Sequence, residues 1–167
     1  MKKFICKIPS IDEINKRWDY LTEGRKTDKE NWEKWRKEAL YNFAVGNTII
    51  YYGFLDNEII CEATAVIKTL KEDKFTEDLI GKNKAYLSAF RTNKEYEGQG
   101  YFSKLYNYML NDLKEKGYEY ATLGVEPTEE RNKSIYNHYG FNEFVKETRE
   151  TYPNGEEVTV DYYRKKL

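Results

Sequence analysis

The stretch Glu97-Gly98-Gln99-Gly100-Tyr101-Phe102-Ser103 decides the fold, because it places two glycines between a predicted strand and a predicted helix. Residues 85–91 have the composition of a strand, and apolar residues then recur at helical spacing at Phe102, Leu105, Met109 and Leu113. A turn at this junction directs free main-chain N–H groups, and the positive end of the helix dipole, toward one point. The sequence therefore predicts an anion site, most often for phosphate, where glycine lets the backbone approach its ligand closely.

Length and composition bound the architecture and the location of the protein. The chain has 167 residues, of which 40% are hydrophobic and 34% are charged. These values are typical of a folded protein, and we expect one domain over residues 1–167 that is neither disordered nor inserted in a membrane. Because the N-terminal segment lacks the apolar stretch of a signal peptide, we expect a cytoplasmic protein.

Charge and residue types argue against several functional classes. The 28 basic and 29 acidic residues nearly cancel, which argues against a nucleic-acid partner, because such binding depends on a cationic surface. Cys6 and Cys61 lie in strand-like segments and are expected to be free thiols rather than a disulfide or a metal site. His138 is the only histidine, so a multi-histidine metal centre is ruled out and we expect no metal.

Hydrophobic periodicity and turn signals predict the element order β α α β β β α β α β β. Capping patterns at Ser10–Glu13 and Thr27–Glu30 begin the first two helices, and Asp56-Asn57 joins the strands of a hairpin. The charged segment 71–84 is expected to be a loop, and Thr128 is expected to cap the last short helix.

The connections between these elements predict the fold class. Residues 85–125 form a strand, a helix and a second strand, which is the pattern of a parallel crossover. The other neighbouring strands are joined as hairpins, which pair antiparallel. We therefore predict an α/β fold of the α+β kind, with a mixed, mostly antiparallel sheet of about seven strands flanked by about four helices.

A second motif lies downstream, at Asn132-Lys133-Ser134-Ile135-Tyr136-Asn137-His138-Tyr139-Gly140-Phe141. Together with the glycine turn and the element order, it resembles the GNAT superfamily of N-acetyltransferases, most clearly over residues 58–145. The pyrophosphate loop of that superfamily reads Arg/Gln-x-x-Gly-x-Gly/Ala. This chain has Gly100 at the central glycine, with Glu97 and Phe102 at the first and last positions. The second motif of the superfamily ends in Tyr-x-x-x-Gly-Phe, which the segment just quoted matches.

The resemblance implies that acetyl-CoA is the cosubstrate and lies between two strands, 85–91 and 118–125, which splay apart. The main chain of Ala89, Phe90 and Arg91 would then pair with the pantetheine arm, assisted by Asn132. The pyrophosphate would be held by the glycine turn, through Gly98, Gln99, Gly100, Tyr101, Phe102 and Ser103.

The implied reaction is direct transfer of an acetyl group from a thioester to a primary amine. Tyr136 would be the general acid for the departing thiolate, since a tyrosine hydroxyl stays protonated at neutral pH. Glu126, directly after the strand 118–125, is the candidate base. Glu62, within an apolar strand, is the candidate contact for a cationic acceptor. The acceptor, a small molecule or a peptide that carries an amine, is not identified by the sequence.

Other interpretations of the same residues stay open at this stage. Glu62 is also compatible with a solvent-facing strand residue, and Glu126 with a helix-entry residue near a dipole. A CoA-binding or small-molecule sensor module that keeps the fold without turnover is the alternative function. Similar proteins often use their C-terminal strands to form dimers, so a homodimer is also compatible with the resemblance.

Overall fold

The computed structural model describes residues 1–68 and 76–167, and its elements follow the predicted order. One short 3-10 helix, at Lys94–Tyr96, is additional. The strands and helices are β1 (Phe4–Lys7), α1 (Ile11–Thr22), α2 (Lys29–Ala44), β2 (Thr48–Leu55), β3 (Glu58–Val66), β4 (Lys84–Thr92), α3 (Tyr101–Glu115), β5 (Tyr120–Val125), α4 (Glu130–His138), β6 (Glu143–Thr151) and β7 (Glu157–Lys166).

The seven strands form one sheet in the order β1-β2-β3-β4-β5-β7-β6. Neighbouring strands pair antiparallel except β4 and β5, which pair parallel and are connected through α3. The predicted mixed, mostly antiparallel sheet with four flanking helices is therefore confirmed. Of the segment 71–84 that was predicted as a charged loop, residues 71–75 lie outside the described residues, residues 76–83 consist mainly of turns, and Lys84 begins β4. None of the helices in the described ranges has the length and apolar character needed to cross a membrane.

The first helix begins as its sequence predicts, and the second does not. Ser10 and Glu13 form a reciprocal capping box at the start of α1. The capping pattern predicted around Thr27 is wrong, because α2 has Asp28 at its N-cap in the left-handed region, with φ 49° and no capping bond from its side chain. The Asp28 carboxylate instead accepts a hydrogen bond from Trp32 Nε1 at 3.0 Å, one helical turn later.

The start of α4 also differs from the prediction. The helix begins at Glu130 with Glu129 at the N-cap, so Thr128 does not cap it. A turn closed by the Glu129 N–H and the Glu126 carbonyl, 2.9 Å apart, occupies the place where a side-chain cap was expected. This turn fixes Glu126 at the junction of β5 and α4.

The two faces of the sheet are covered by different helices. Alternating residues of β2 separate them, since Tyr51 belongs to the apolar cluster under α3 while Ile50 and Tyr52 belong to the cluster under α1 and α2. The second cluster includes Trp18, with Trp32 and Trp35 packed against it. The sheet therefore separates a layer that contains α3 from a layer that contains α1 and α2, and both layers contribute residues to the site described next.

The parallel pair β4 and β5 opens into a gap. Their pairing is limited to Lys84–Tyr86 opposite Tyr120–Thr122, and the strands separate beyond that point. On the other edge of β4, the register with β3 shifts between Glu62 and Thr64, close to Ala89, which has a φ of 57°. A left-handed alanine costs on the order of 1 kcal/mol, so the surrounding structure must impose this bulge. On the β5 side, no strand of the described residues pairs with the main chain of β4 from residue 87 onward, so this edge faces the gap.

Candidate active site

The glycine turn presents a row of main-chain donors for which the described part of the chain holds no acceptor. Gly98 and Gly100 have φ of 71° and 84°, values that favour glycine, and Gly100 is the N-cap of α3 without a side-chain capping bond. Among the described residues, none of the six N–H groups from position 98 to 103 donates to a protein acceptor. A Cβ added to Gly98 or to Gly100 would have no atom within 4 Å, so the space above the turn is open. Free amides at a helix N-terminus in open space are suited to an anion.

A cavity of about 700 Å³, here called the turn cavity, opens in front of these donors. Its walls come from the end of β4, the glycine turn and α4, and they include Phe90, Thr92, Glu97, Gly98, Gly100, Tyr101, Phe102, Ser103, Arg131, Asn132, Tyr136 and Tyr139. Arg131 adds a positive charge to that of the helix N-terminus, whereas Glu97 is exposed at the rim of the cavity. Water screens a carboxylate in that position, so it weakens the attraction for an anion only modestly.

Aromatic rings form the floor of the turn cavity. Phe102 lies 5.2 Å from Phe90 between ring centroids, and Phe90 in turn lies 5.9 Å from Tyr136. Tyr106 and Tyr139 stack at 4.3 Å behind them. The phenylalanine that replaces the small residue of the superfamily motif therefore packs into an apolar cluster and leaves the space above the glycines open.

Tyr136 and Asn132 both reach the turn cavity from α4. Burial, and secondarily the charge of Glu129, raise the pKa of Tyr136 above its ordinary value. Its hydroxyl therefore stays protonated at neutral pH and can donate a proton. The Asn132 side-chain amide donates to Glu129 Oε2 at 2.9 Å, so its carbonyl oxygen is the group left to face a ligand.

A second cavity of about 690 Å³ lies on the α1–α2 face and is here called the helix–hairpin cavity. Aromatic, hydroxyl and charged side chains line it, including Trp18, Lys34, Trp35, Glu38, Tyr52, Glu62, Thr64, Tyr86, Ser88, Ala89, Arg91, Arg149, Glu150 and Tyr152. The bulge at Ala89 interrupts the alternation of β4, so that Ser88 before it and Arg91 after it both line the helix–hairpin cavity. Phe90 and Thr92 line the turn cavity. The gap beside β4 therefore lies between two compartments.

The tip of the β6–β7 hairpin closes one side of the helix–hairpin cavity. The Asn154 N–H donates to Oδ1 of the buried Asn31 on α2 at 2.8 Å. Trp35 and Tyr152 meet edge to face with ring centroids 5.6 Å apart. A hairpin between neighbouring strands was predicted from the sequence, whereas its attachment to α2 was not.

Glu126 connects to the helix–hairpin cavity through a tyrosine. It accepts a hydrogen bond of 2.9 Å from the Tyr152 hydroxyl, and Tyr152 lines the cavity. Burial and the hydrogen bond to Glu126 raise the pKa of Tyr152, so this tyrosine is a proton donor at neutral pH. The candidate base thus has a defined partner that the sequence analysis missed.

Glu62 lies in the wall of the helix–hairpin cavity, but its charge is already balanced. Only 5% of the residue is exposed, and its two carboxylate oxygens contact different cations. Oε2 accepts from Nε of the buried Arg17, and Oε1 accepts from Nη1 of Arg91 at 2.5 Å. A carboxylate held by two arginines attracts a third cation weakly, so the geometry does not favour the expected contact with a cationic acceptor.

Further residues of the helix–hairpin cavity were missed because they come from distant parts of the chain. Tyr86 lies on β4, while Arg149, Glu150 and Tyr152 lie on β6 or at its end. Glu150 accepts a hydrogen bond from the Tyr162 hydroxyl on β7. In the sequence, these positions belong to an ordinary alternating strand, and only the closure of the hairpin over α2 turns them into cavity walls.

Comparisons with known proteins place this geometry in a family. The fold is similar to that of a candidate acetyltransferase from Acinetobacter baylyi ADP1, with a TM-score of 0.71, 12% identity, and coverage of 100% of this chain and 93% of that one. It is also similar to a ribosomal-protein-alanine N-acetyltransferase from Brucella melitensis (TM-score 0.68, 13% identity, 98% and 99% coverage). A third similar structure, yncA from Salmonella typhimurium, was solved with its cofactor acetyl-CoA (TM-score 0.65, 11% identity, 99% and 94% coverage).

These identities are low, so the structural likeness concerns the fold. No curated protein matches the sequence significantly. The model of the acetyltransferase (GNAT) family matches residues 9–141, which is most of the chain. The chain therefore belongs to the acetyltransferase (GNAT) family.

Proposed function

We propose that this acetyltransferase moves the acetyl group of acetyl-CoA to a primary amine that enters from the helix–hairpin cavity. Membership of the family gives acetyl-CoA-dependent acetyl transfer in general. The observation that carries the specific proposal is the row of six main-chain N–H groups that have no acceptor among residues 1–68 and 76–167 and that lie beside the gap between β4 and β5.

The residues of the turn cavity fit the cosubstrate. Six amides and the dipole of α3 suit the diphosphate, and Arg131 supplies a further positive charge. The edge of β4 from Ala89 to Arg91 has main-chain groups that can pair with the amides of the pantetheine arm, as in strand addition. When bound there, acetyl-CoA supplies an activated acyl group with a thiolate as its leaving group.

Tyr136 donates a proton to the sulfur as the carbon–sulfur bond breaks. Its ring lies beside Phe90 of β4 on the wall of the turn cavity, and this position supports the role. The raised pKa keeps the proton on the oxygen at neutral pH, so the hydroxyl is available to the sulfur as negative charge develops there. A main-chain N–H on the free edge of β4 polarises the acetyl carbonyl.

Glu126 accepts the proton of the attacking nitrogen through Tyr152. The amine attacks in its neutral form, and its nitrogen becomes positively charged and acidic as it bonds to the acetyl carbon. Tyr152 passes its own proton to Glu126 Oε1 along the hydrogen bond of 2.9 Å and takes one from the nitrogen. The relay leaves Tyr152 neutral before and after the transfer, as its raised pKa requires.

Calorimetry with acetyl-CoA, together with thiol release in the presence of a panel of amines, tests the proposal. We expect saturable binding of acetyl-CoA and thiol release that depends on an amine. Binding without thiol release over a broad panel would favour the non-catalytic sensor module. No binding of acetyl-CoA would contradict the assignment of the turn cavity.

A further inference from the structure

We propose that the amine acceptor also carries a carboxylate, and that Arg91 binds this carboxylate in the helix–hairpin cavity. The inference rests on the proposed function, because it names the class of acceptor that the same site takes. It starts from the charges of three connected side chains, Arg17, Glu62 and Arg91.

The three side chains leave one positive charge in excess. The side chains of Arg17 and Glu62 are 2% and 6% exposed, so their ion pair is buried and balanced within itself. Arg17 is held further by Asn93 Oδ1 at 2.6 Å and by the Ile59 carbonyl at 3.3 Å. Arg91 adds a second cation to the same carboxylate, and its side chain is 28% exposed. The uncompensated charge is therefore at Arg91, on the accessible side.

Arg91 is positioned to receive an anion. Among the described residues, Glu62 Oε1 is the only hydrogen-bond acceptor that its guanidinium contacts. The Trp32 and Trp18 rings lie 5.0 Å and 5.8 Å from the guanidinium carbon, which orients the planar group without using its N–H donors. A guanidinium held in this way presents a donor fork that matches a carboxylate.

The remaining charges of the helix–hairpin cavity are mixed in sign. Lys34 and Glu38 lie on α2 and pair with each other at 3.9 Å, while Arg149 and Glu150 lie on β6. Counted over the described residues of the lining, these four charges cancel in number, so the excess from Arg91 stays. Glu150 also gives the hairpin wall an anionic group that suits an ammonium. An acceptor with both charges matches this cavity better than a polyamine does.

The position of Arg91 on β4 sets the size of the acceptor. It lies two residues beyond Ala89, where the strand borders the gap. At about 3.3 Å per strand residue, these two positions are roughly 7 Å apart along the strand, and we take this as the scale of the separation between the reacting nitrogen and the carboxylate. The contacts of the hairpin tip with α2 limit the cavity on one side, which favours a compact ligand. An ω-amino acid or a short amino acid with a side-chain amine fits these limits.

Tryptophan fluorescence measures binding without turnover, because all three tryptophans lie in the cluster beside this cavity. The probes are 6-aminohexanoate and its neutral amide, 6-aminohexanamide, titrated in the presence of CoA. We expect the carboxylate to bind at least about 10-fold more tightly than the amide, on the scale of a charge-assisted contact. Arg91→Met should remove this difference, and Arg91→Lys should keep part of it.

A matched control is Arg36→Met on α2, because Arg36 pairs with Asp19 at 2.9 Å and is outside the lining of the cavity. This variant should keep the full preference for the carboxylate. Because Arg91→Met leaves Glu62 paired with Arg17, we expect this variant to fold. The comparison of the two probes on the unmodified protein tests the preference for a carboxylate even without the variant.

Equal affinity for the two probes, no binding of either, or a preference that survives Arg91→Met would overturn the inference. The outcomes for the proposed function are separate. A carboxylate preference without thiol release would contradict acetyl transfer to this class of amine, while the binding assignment would stand. Thiol release that is equally efficient with carboxylate-free amines would contradict the role of Arg91, while the proposal of acetyl transfer would stand.

Discussion

The Tyr152 hydroxyl donates to Glu126 Oε1 across 2.9 Å, which joins the end of the C-terminal hairpin strand β6 to the end of β5. The contact brings a carboxylate beside the gap into hydrogen-bond connection with the wall of the helix–hairpin cavity. In the proposed mechanism, this contact is the path by which a proton that leaves the amine reaches the Glu126 carboxylate.

Replacing Tyr152 by phenylalanine tests this path. We expect Tyr152→Phe to lower kcat by about 10²-fold, the usual scale for loss of a positioned proton acceptor, with the affinity for acetyl-CoA unchanged. Glu126→Gln should give a similar decrease, and the double variant should lose little more, because the two residues act in one relay. Steady-state kinetics and calorimetry measure these values. Fully additive decreases would show that the residues act independently.

Tyr136→Phe should lower kcat by about 10²-fold while acetyl-CoA binds as before, because the change removes one proton donor from the wall of the turn cavity. The raised pKa of Tyr136 sets the direction of the pH dependence. The acid form exists below the pKa, which lies above the ordinary value of about 10, so this group should cause no loss of kcat between about pH 7 and pH 9.5. An unchanged kcat in the variant would remove Tyr136 from the mechanism.

Valine substitutions at two glycines separate ligand binding from backbone strain. Gly100→Val places a side chain in the open space above the turn and should weaken CoA binding by 10-fold or more, on the order of one lost backbone contact. Gly117, at the end of α3, has a similar φ of 93° and open space around it, but it is outside the lining of the turn cavity. Gly117→Val should therefore destabilise the fold without changing CoA affinity in the folded fraction. Equal CoA affinities in both variants would count against the phosphate assignment.

The buried pair of Arg17 and Glu62 predicts a large effect on stability. Glu62→Gln leaves the guanidinium of Arg17 buried without a counter-charge, which should lower the free energy of unfolding by about 3–5 kcal/mol. Glu143→Gln removes a carboxylate that pairs with Arg164 on the surface, and it should leave the unfolding free energy unchanged. Urea denaturation compares the two variants, and a small effect of Glu62→Gln would show that the network is not important for folding.

The sequence predicted most of the fold because its signals are local. Gly98 and Gly100 lie between a strand and an amphipathic helix, and the structure places them there with positive φ. Asp56 and Asn57 likewise form the predicted hairpin turn, with φ of 46° and 71°. The predictions of helix caps at Thr27 and Thr128 were wrong, because the first residue of each helix depends on where the neighbouring turns place the backbone.

Much of the helix–hairpin cavity depends on contacts between distant residues and could not be predicted. Asn31 and Asn154 are 123 residues apart in the chain, and Arg17 and Glu62 are 45 apart. A strand carboxylate such as Glu62 was expected to face solvent or a cleft, and nothing near it in the sequence indicates an arginine from α1. The turn cavity could be predicted from the sequence more readily, because its main-chain donors come from one continuous segment.

A crystal structure of the complex with CoA tests the central claim most directly. The account predicts that the diphosphate lies within hydrogen-bond distance of the main-chain nitrogens of residues 98–103, with the thiol in the gap between β4 and β5 near Tyr136. A diphosphate bound elsewhere, or turn amides that donate to protein acceptors in the complex, would contradict it.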